Sequence, residues 1–303
     1  VLFFNVKLPY YIMAPGGTIN ITDRVVMDNY NKKSKGSLNM LYVSEYEGTP
    51  ASLLLAKLKS YDIESNKERQ ISVKEINRRN TIMRDNSLDI ATMVAYTEAG
   101  KSITIKEKKN VVIARTKDNG LEVGDIILSA DNTTCEDVND IKKIINNKEE
   151  NDTVTFKILR NNKEKEVNSK IYLESNSKVV GVVIVTEYDY DIDPKIDIKF
   201  KNSESGASGG LMLTLTIYNA ITDEDIIKER KIAGTGTISY DGTVGEIDGI
   251  KYKIMGAAKD NVKIVFVPTA NYEEAIMTKN KYKYDLEIVR VDNFKEAIEY
   301  LKK

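Results

Sequence analysis

The chain reads as an α/β (α+β) protein built from three stretches, and three observations carry that reading. From about residue 178 to the end, short apolar strands ("KVVGVVIVTEY", "VKIVFVP", "DLEIVRV") alternate with helical segments. From about 106 to 175 the chain holds short strands, turn signals and one helix, the pattern of a small β module. Residues 1 to about 105 mix strand-like runs with a long, charged helical one. A chain of 303 residues suits two or three units, because single domains cluster near ~100–200 residues. The boundaries are placed at 1–105, 106–175 and 176–303.

In the first stretch, "FFNVKLPYYIMAP" reads as strand material closed by the turn signal Pro15-Gly16-Gly17. "GSLNMLYVSEY" (36–46) is a second strand. Thr49-Pro50 starts a helix, with Thr49 as cap and Pro50 at the first helical position, and Leu54, Leu55 and Leu58 give it a buried side. A helix over roughly 73–99 stops at Gly100, its many charges forming a solvated face. The opening "VLFF" is too short to span a bilayer, which takes about 20 residues. It reads either as a buried first strand or as the tail of a removed membrane anchor or signal sequence.

In the middle stretch, "NVVIARTK" and Ile126–Ala130 are strands. "CEDVNDIKKIINN" is a helix with Val138, Ile141, Ile144 and Ile145 on one face, and "DTVTFKILRNNKEKEV" is two strands around an Asn-Asn turn. In the last stretch a helix covers 209–221, and "KIAGTGTISYDGTVGEIDG" is a hairpin with a type I′ turn at Asp241-Gly242. Helices near 250–259, 271–279 and 294–302 complete it.

Composition removes several functions. Lys/Arg and Asp/Glu interleave to a net charge of −1, so no basic face tracks a phosphate backbone and no nucleic-acid partner is expected. The single cysteine, Cys135, excludes an internal disulfide and a Cys-rich metal cluster. With no histidine at all, a zinc enzyme and a Ser-His-Asp hydrolase are excluded. No loop has the D-x-D-x-D-G spacing of a calcium site, and no metal or cofactor is expected.

Chemistry concentrates in "NSESGASGGLML", residues 202–213. Ser208 sits among small residues just before an apolar helix. Backbone N–H groups at a helix N-terminus suit a developing oxyanion, and Gly206 and Ala207 leave room for a substrate carbonyl. With histidine absent, the base of a nucleophilic serine here must be a lysine, a carboxylate or a tyrosine. A lysine serves only if burial lowers its pKa from about 10.4 toward neutrality. Lys251 and Lys253 flank the apolar face made by Ile250, Ile254, Ala257 and Ala258, and helical periodicity does not choose between them.

Two resemblances sharpen this reading. The order L-x-x-G-D-x-I-L-x-x-(D/N), carried by Leu121, Gly124, Asp125, Ile126, Ile127 and Asp131, followed by a helix and a strand pair, resembles a PDZ domain of the bacterial, protease-associated kind. The resemblance implies capture of an extended peptide as an added strand, with Val111, Val112 and Ile113 in the peptide-binding region near a carboxylate loop at Val111–Ala114. The alternative is a β module that only positions or gates its neighbour.

"SGASGGLMLTLTIYNAIT", "KIAGTGTISYDGTVGEIDGIKYKIMGAA" and "VKIVFVP" together resemble the proteolytic domain of Lon proteases, in particular the Lon-like branch carrying a PDZ domain and a membrane anchor. Its motif is G-(P/A)-S-(A/G)-G followed, about 45 residues later, by G-x-(I/L)-x-x-K. By that motif Ser208 is the nucleophile, supported by Gly206, Ala207 and Gly209. Lys253 is the general base and Thr235 orients it. Ala207 stands where proline is frequent. The resemblance implies a serine endopeptidase with a Ser-Lys dyad, cleaving peptides or flexible protein segments. These residues hold no G-x-x-x-x-G-K-(S/T) run, so the cleavage is expected to be ATP-independent. The resemblance further implies a single N-terminal membrane anchor, a catalytic domain outside the bacterial cytoplasm and a homo-oligomeric ring, and it favours the removed-anchor reading of "VLFF". A catalytically silent, PDZ-type peptide-binding scaffold is the competing function.

Overall fold

A computed structural model describes residues 2–28, 34–65, 73–201, 204 and 206–303. Val1, and Asn202, Ser203 and Ser205 of the serine-bearing stretch, lie outside the described residues. The chain runs through α1 (Leu2–Asn5), β1 (Tyr10–Asn20), β2 (Val25–Met27), β3 (Ser37–Glu47), α2 (Pro50–Leu58), β4 (Asp62–Ser65) and α3 (Val73–Glu98). It continues through β5 (Ser102–Arg115), β6 (Ile126–Ala130), β7 (Thr133–Thr134), α4 (Val138–Asn146), β8 (Thr153–Arg160), β9 (Lys163–Lys170), β10 (Tyr172–Glu174), β11 (Ser177–Val179) and β12 (Val182–Asp193). Then come β13 (Ile196–Ile198), α5 (Gly210–Ile221), β14 (Lys231–Gly234), β15 (Thr237–Ile238), β16 (Val244–Gly245), α6 (Ile250–Lys259), β17 (Ile264–Pro268), α7 (Tyr272–Tyr282), β18 (Glu287–Val291) and α8 (Phe294–Lys302).

The main sheet has the order β18-β17-β14-β3-β1-β4. Strands β18, β17, β14 and β3 are parallel, while β1 pairs antiparallel with both β3 and β4. Period-2 alternation sends successive side chains to opposite faces. Leu38, Met40, Ile232 and Phe266 face one apolar cluster with α3, α5 and α8. Leu41, Ala233, Val265 and Val267 face another with α6 and α7. The result is three layers, helix–sheet–helix, with α5 the central buried helix.

The division at residue 105 is not kept by the sheet. β1, β3 and β4 come from the first stretch yet lie in one sheet with β14 of the last, β3 pairing with it directly, and α3 packs on α5. The second sheet, β12-β5-β6-β8-β9, likewise draws β12 from beyond residue 176 and starts β5 before residue 106. It closes on α4 over a cluster that includes Val112, Phe156, Ile141 and Ile145. The β module is thus inserted into a layer whose strands lie on both sides of it in sequence.

Several local expectations change for identifiable reasons. Pro15-Gly16-Gly17 does not close β1; the strand runs through it with a register shift opposite β3. The glycines mark close approach: a Cβ on Gly16 would lie 2.3 Å from the Tyr42 carbonyl, and one on Gly17 2.7 Å from Asp260 Oδ2. Thr49 caps α2 in a reciprocal box with Ser52, but Leu54, Leu55 and Leu58 face solvent, Leu58 at 77% exposure. Only Ala56 of that helix is buried. "LFF" forms a single helical turn with Phe3 and Phe4 exposed, not a buried strand. At the last hairpin Gly242 alone has positive φ, and its N–H bonds the Ser239 carbonyl. That is a three-residue loop of type I turn plus bulge, not type I′, which needs two positive φ angles. Asn161 and Asn162, both at positive φ, do make the two-residue turn between β8 and β9.

Asp260, at the C-terminal end of α6, ties that helix to the bulge of β1. Its Oδ2 accepts from the Thr18 N–H at 2.6 Å and the Thr18 hydroxyl at 2.9 Å. Asp260→Ala is expected to cost about 2 kcal/mol, the range for hydrogen bonds to a charged group. Urea unfolding of the two proteins measures this directly.

Candidate active site

Ser208 and Lys253 sit on elements that pack on opposite faces of the main sheet and are linked at the carboxyl end of its interior strand β14. α5 lies on one face and puts Ser208 just before its first turn, whereas α6 lies on the other and carries Lys253. Between them β14 ends at Gly234, and Thr235 follows at the carboxyl end of a parallel strand, where open α/β sheets place their sites. The Thr235 N–H is fixed to the Phe266 carbonyl on β17 at 3.1 Å.

A hydrogen-bond relay joins the three residues. Lys253 Nζ donates to Thr235 Oγ1 at 3.0 Å, and the Thr235 hydroxyl donates to the Ser208 carbonyl at 3.0 Å. The Gly236 N–H donates to the same carbonyl at 2.8 Å. Thr235 is wholly buried and Lys253 is 3% exposed. Lys253 and Ser208 do not bond each other directly, and the Ser208 hydroxyl bonds no described residue. Such contacts often close only around a substrate.

Burial drives the Lys253 amine down from its ordinary 10.5 to about 8, opposed only by the charge of Asp248. Desolvation penalises the ammonium and leaves the neutral amine untouched. Lys251 is different. Its Nζ donates to the Ser60 carbonyl at 3.0 Å and to the Tyr252 hydroxyl, with Asp62 at 3.7 Å, and its pKa is raised. The two lysines that periodicity could not separate therefore point to different surroundings, and only Lys253 is linked to the serine backbone, through Thr235.

The small residues around Ser208 have separate reasons. Gly206 has φ +89, a conformation that needs glycine, and open space where a Cβ would sit. Its N–H is committed to the Asn80 carbonyl at 3.0 Å, so it is not available to an oxyanion. Ala207 turns its carbonyl to the Gly210 N–H at 3.2 Å. A Cβ on Gly209 would overlap Met40 Sδ at 2.3 Å, so the helix start lies flush on β3. The N–H groups of Ser208 and Gly209 donate to no described residue.

Sequence reasoning missed helix α3. Expected to be a solvated face, it holds the serine loop: Asn80 through Gly206, Arg84 through the Glu204 carbonyl at 3.1 Å, and Ser87 through the Ala207 carbonyl at 3.3 Å. Arg84 and Ser87, an i, i+3 pair on one side of the helix, reach the loop with their side chains, whereas Asn80 does so with its main-chain carbonyl, which no side-chain pattern signals.

Val111, Val112 and Ile113 do not form an open peptide edge. β12 pairs along one side of β5, with Ile184 opposite Val112 and Val185 opposite Val111. On the other side Val111 pairs with Ile126, and Val112 exchanges bonds with Asp125 and Gly124. The three residues are buried. The outer strands of this sheet are β9 and β12; β12 is reached through Gly181 at φ +70, and its Val182 and Ile184 pack on the cluster that holds Ile141 and Ile145 of α4. A separate groove of about 570 Å³, lined by Ile105, Lys108, Leu128, Cys135 and Leu159 among others, opens where β5 peels away from β6.

Comparison with known proteins follows this geometry. Residues 172–302 match the family described as the Lon protease (S16) C-terminal proteolytic domain, and residues 97–171 match the PDZ domain family. The Lon protease of Mesomycoplasma hyopneumoniae is 30% identical over 133 residues, 43% of this chain and 14% of that protein. The archaeal Lon protease of Halobacterium salinarum is 31% identical over 104 residues, 34% of this chain and 15% of that protein. The chain therefore spans about one seventh of the length of these curated relatives. Among solved structures, the PDZ domain of the SdrC-like protein from Listeria innocua aligns with TM-score 0.24 and 22% identity, over 25% of this chain and 92% of that one.

The geometry makes one expectation that needs no turnover. With Nζ methyl groups carrying ¹³C, the Lys253 resonance should titrate near pH 8, and Lys251 above the ordinary lysine value. A Lys253 midpoint at 10.5 would show that the amine is not desolvated.

Proposed function

With a Lon-type proteolytic domain over residues 172–302 and a PDZ domain over 97–171 as the starting point, we propose that this chain is a serine endopeptidase working through a Ser208–Lys253 dyad. The observation that carries the reading is a buried lysine, lowered to about 8, linked through Thr235 to the backbone of a serine at a helix N-terminus. The Thr235 proton is committed to the Ser208 carbonyl, so Thr235 can only accept from Lys253. It holds the amine by one N–H and leaves the nitrogen lone pair free for the serine proton.

Ser208 then attacks the scissile carbonyl while neutral Lys253 takes the hydroxyl proton, and the ammonium formed returns it to the leaving amine. The negative oxygen of the tetrahedral intermediate is received by the Ser208 and Gly209 N–H groups, near the positive end of α5. Of the turn before the serine, the Gly206 N–H is already spent on Asn80.

Cleavage without ATP is part of the same proposal. A membrane-anchored, extracytoplasmic placement and a homo-oligomeric ring rest on the family resemblance alone; no described helix is long and apolar enough to cross a membrane. Peptide capture by the PDZ domain is assigned to the outer edge of β12 beside α4, since both edges of β5 are taken.

Ser208→Ala and Lys253→Met should each lower hydrolysis of a fluorogenic peptide by about a thousandfold. Labelling of Ser208 by a fluorophosphonate should vanish with Ser208→Ala. Unlabelled wild-type protein would favour the silent scaffold instead. The base acts only when deprotonated, so activity should rise with pH through about 8 and level off above it. About a tenth of the lysine is neutral at pH 7 on that value. A rate that stays flat from pH 7 to 9.5 would remove Lys253 from the mechanism. Thr235→Val should cost about tenfold to a hundredfold in kcat, because the amine loses its one fixed partner.

A further inference from the structure

We infer that Ser87, on α3, is a positioning residue that aims the oxyanion-binding N–H of Ser208. The inference rests on the Ser-Lys peptidase reading and goes beyond it to a residue outside both catalytic motifs.

The Ala207–Ser208 peptide is planar and trans, so the Ala207 carbonyl and the Ser208 N–H point in opposite directions. Whatever fixes that carbonyl also aims that N–H. Two donors fix it: the Gly210 N–H at 3.2 Å, from the first turn of α5, and the Ser87 hydroxyl at 3.3 Å, from α3. Both lie on the packed side of the loop. A Cβ added to Gly210 would come within 3.0 Å of Ser87 Oγ, so the hydroxyl sits directly under the helix start. The Ser208 N–H is thereby turned away from α3 and, among described residues, meets no acceptor.

Ser87 is 4% exposed, which leaves its hydroxyl dependent on a protein acceptor, and the Ala207 carbonyl is the acceptor it has. Two other residues of the same helix anchor the preceding part of the loop. Asn80 takes the Gly206 N–H, and Arg84 donates to the Glu204 carbonyl while stacking its guanidinium 5.1 Å from the Phe200 ring centre. The helix thus holds the loop at residues 204, 206 and 207, and only the last contact acts on the peptide that carries the oxyanion donor. Loss of Ser87 would leave that plane free to rock about the remaining Gly210 bond. Catalysis would suffer in the transition state, where the oxyanion exists, more than in substrate binding.

The test uses the full chain with Ser87→Ala, and Ser87→Cys as a variant of similar volume with a weak donor. Both should lower kcat for a fluorogenic peptide by about tenfold, the size of one lost hydrogen bond, with KM within about twofold of wild type. The pH midpoint should stay where wild type has it, because Lys253 and Thr235 are untouched. Fluorophosphonate labelling of Ser208 should slow in parallel. Amide exchange in a proteolytic fragment spanning 204–211 should quicken, a readout that needs no activity. An unchanged kcat in both variants, a rise in KM alone, a shifted pH midpoint or unchanged exchange would overturn the inference. Failure of wild type to label at all would instead count against the Ser-Lys reading, with the exchange measurement still deciding the role of Ser87.

Discussion

A lysine buried to 3% exposure is the constraint around which the rest of this site is arranged. An ammonium in such a place is expensive, and a shift from 10.5 to about 8 corresponds to about 3 kcal/mol in favour of the neutral amine. Among the described residues it has no salt bridge, and its hydrogen-bond partner is a hydroxyl whose own proton is committed elsewhere. That arrangement holds the nitrogen in place without stabilising its charge. A carboxylate in the position of Thr235 would have done the opposite, raising the pKa and keeping the amine charged.

Building that environment takes both faces of the main sheet. Lys253 is desolvated by α6 packing on Leu41, Ala233, Val265 and Val267, and Ser208 is held by α5 packing on Met40, Ile232 and Phe266. Thr235 and Gly236 reach both because β14 ends between them. The first hundred residues supply two parts of this machine: β3, the parallel neighbour of β14, and α3, the clamp on the serine loop. Their position before the PDZ domain in the chain conceals that they close the same core.

The PDZ domain is joined to this core by more than its two covalent connections. Asn86 of α3 donates to the Thr186 carbonyl of β12, and Asp89 accepts from the Tyr188 N–H. Asp89, largely buried there, is raised to about 6. The same helix therefore touches the outer strand of the PDZ sheet on one row of residues and the serine loop on another. Its charged composition reflects two polar interfaces, which an amphipathic reading takes for solvent.

The candidate site could be named from the residues themselves. A serine between small residues before an apolar helix, and the absence of histidine, narrowed the base to a lysine; a motif at the right separation then singled out Lys253. Strand alternation, the Thr49 cap, the Asn161-Asn162 turn and the stop at Gly100 were also readable, because each depends on residues within a few positions of one another. What needed the tertiary structure were the facts set by contacts far apart in sequence. Those are the exposure of Leu54, Leu55 and Leu58, the glycines of β1 pressed against Tyr42 and Asp260, the double pairing of β5 and the hold of α3 on residues 204–207. The sequence by itself determined which chemical groups could act. Only the fold decided that Lys253 is dry and Lys251 is not, since desolvation depends on which surfaces are brought together and no local pattern records it.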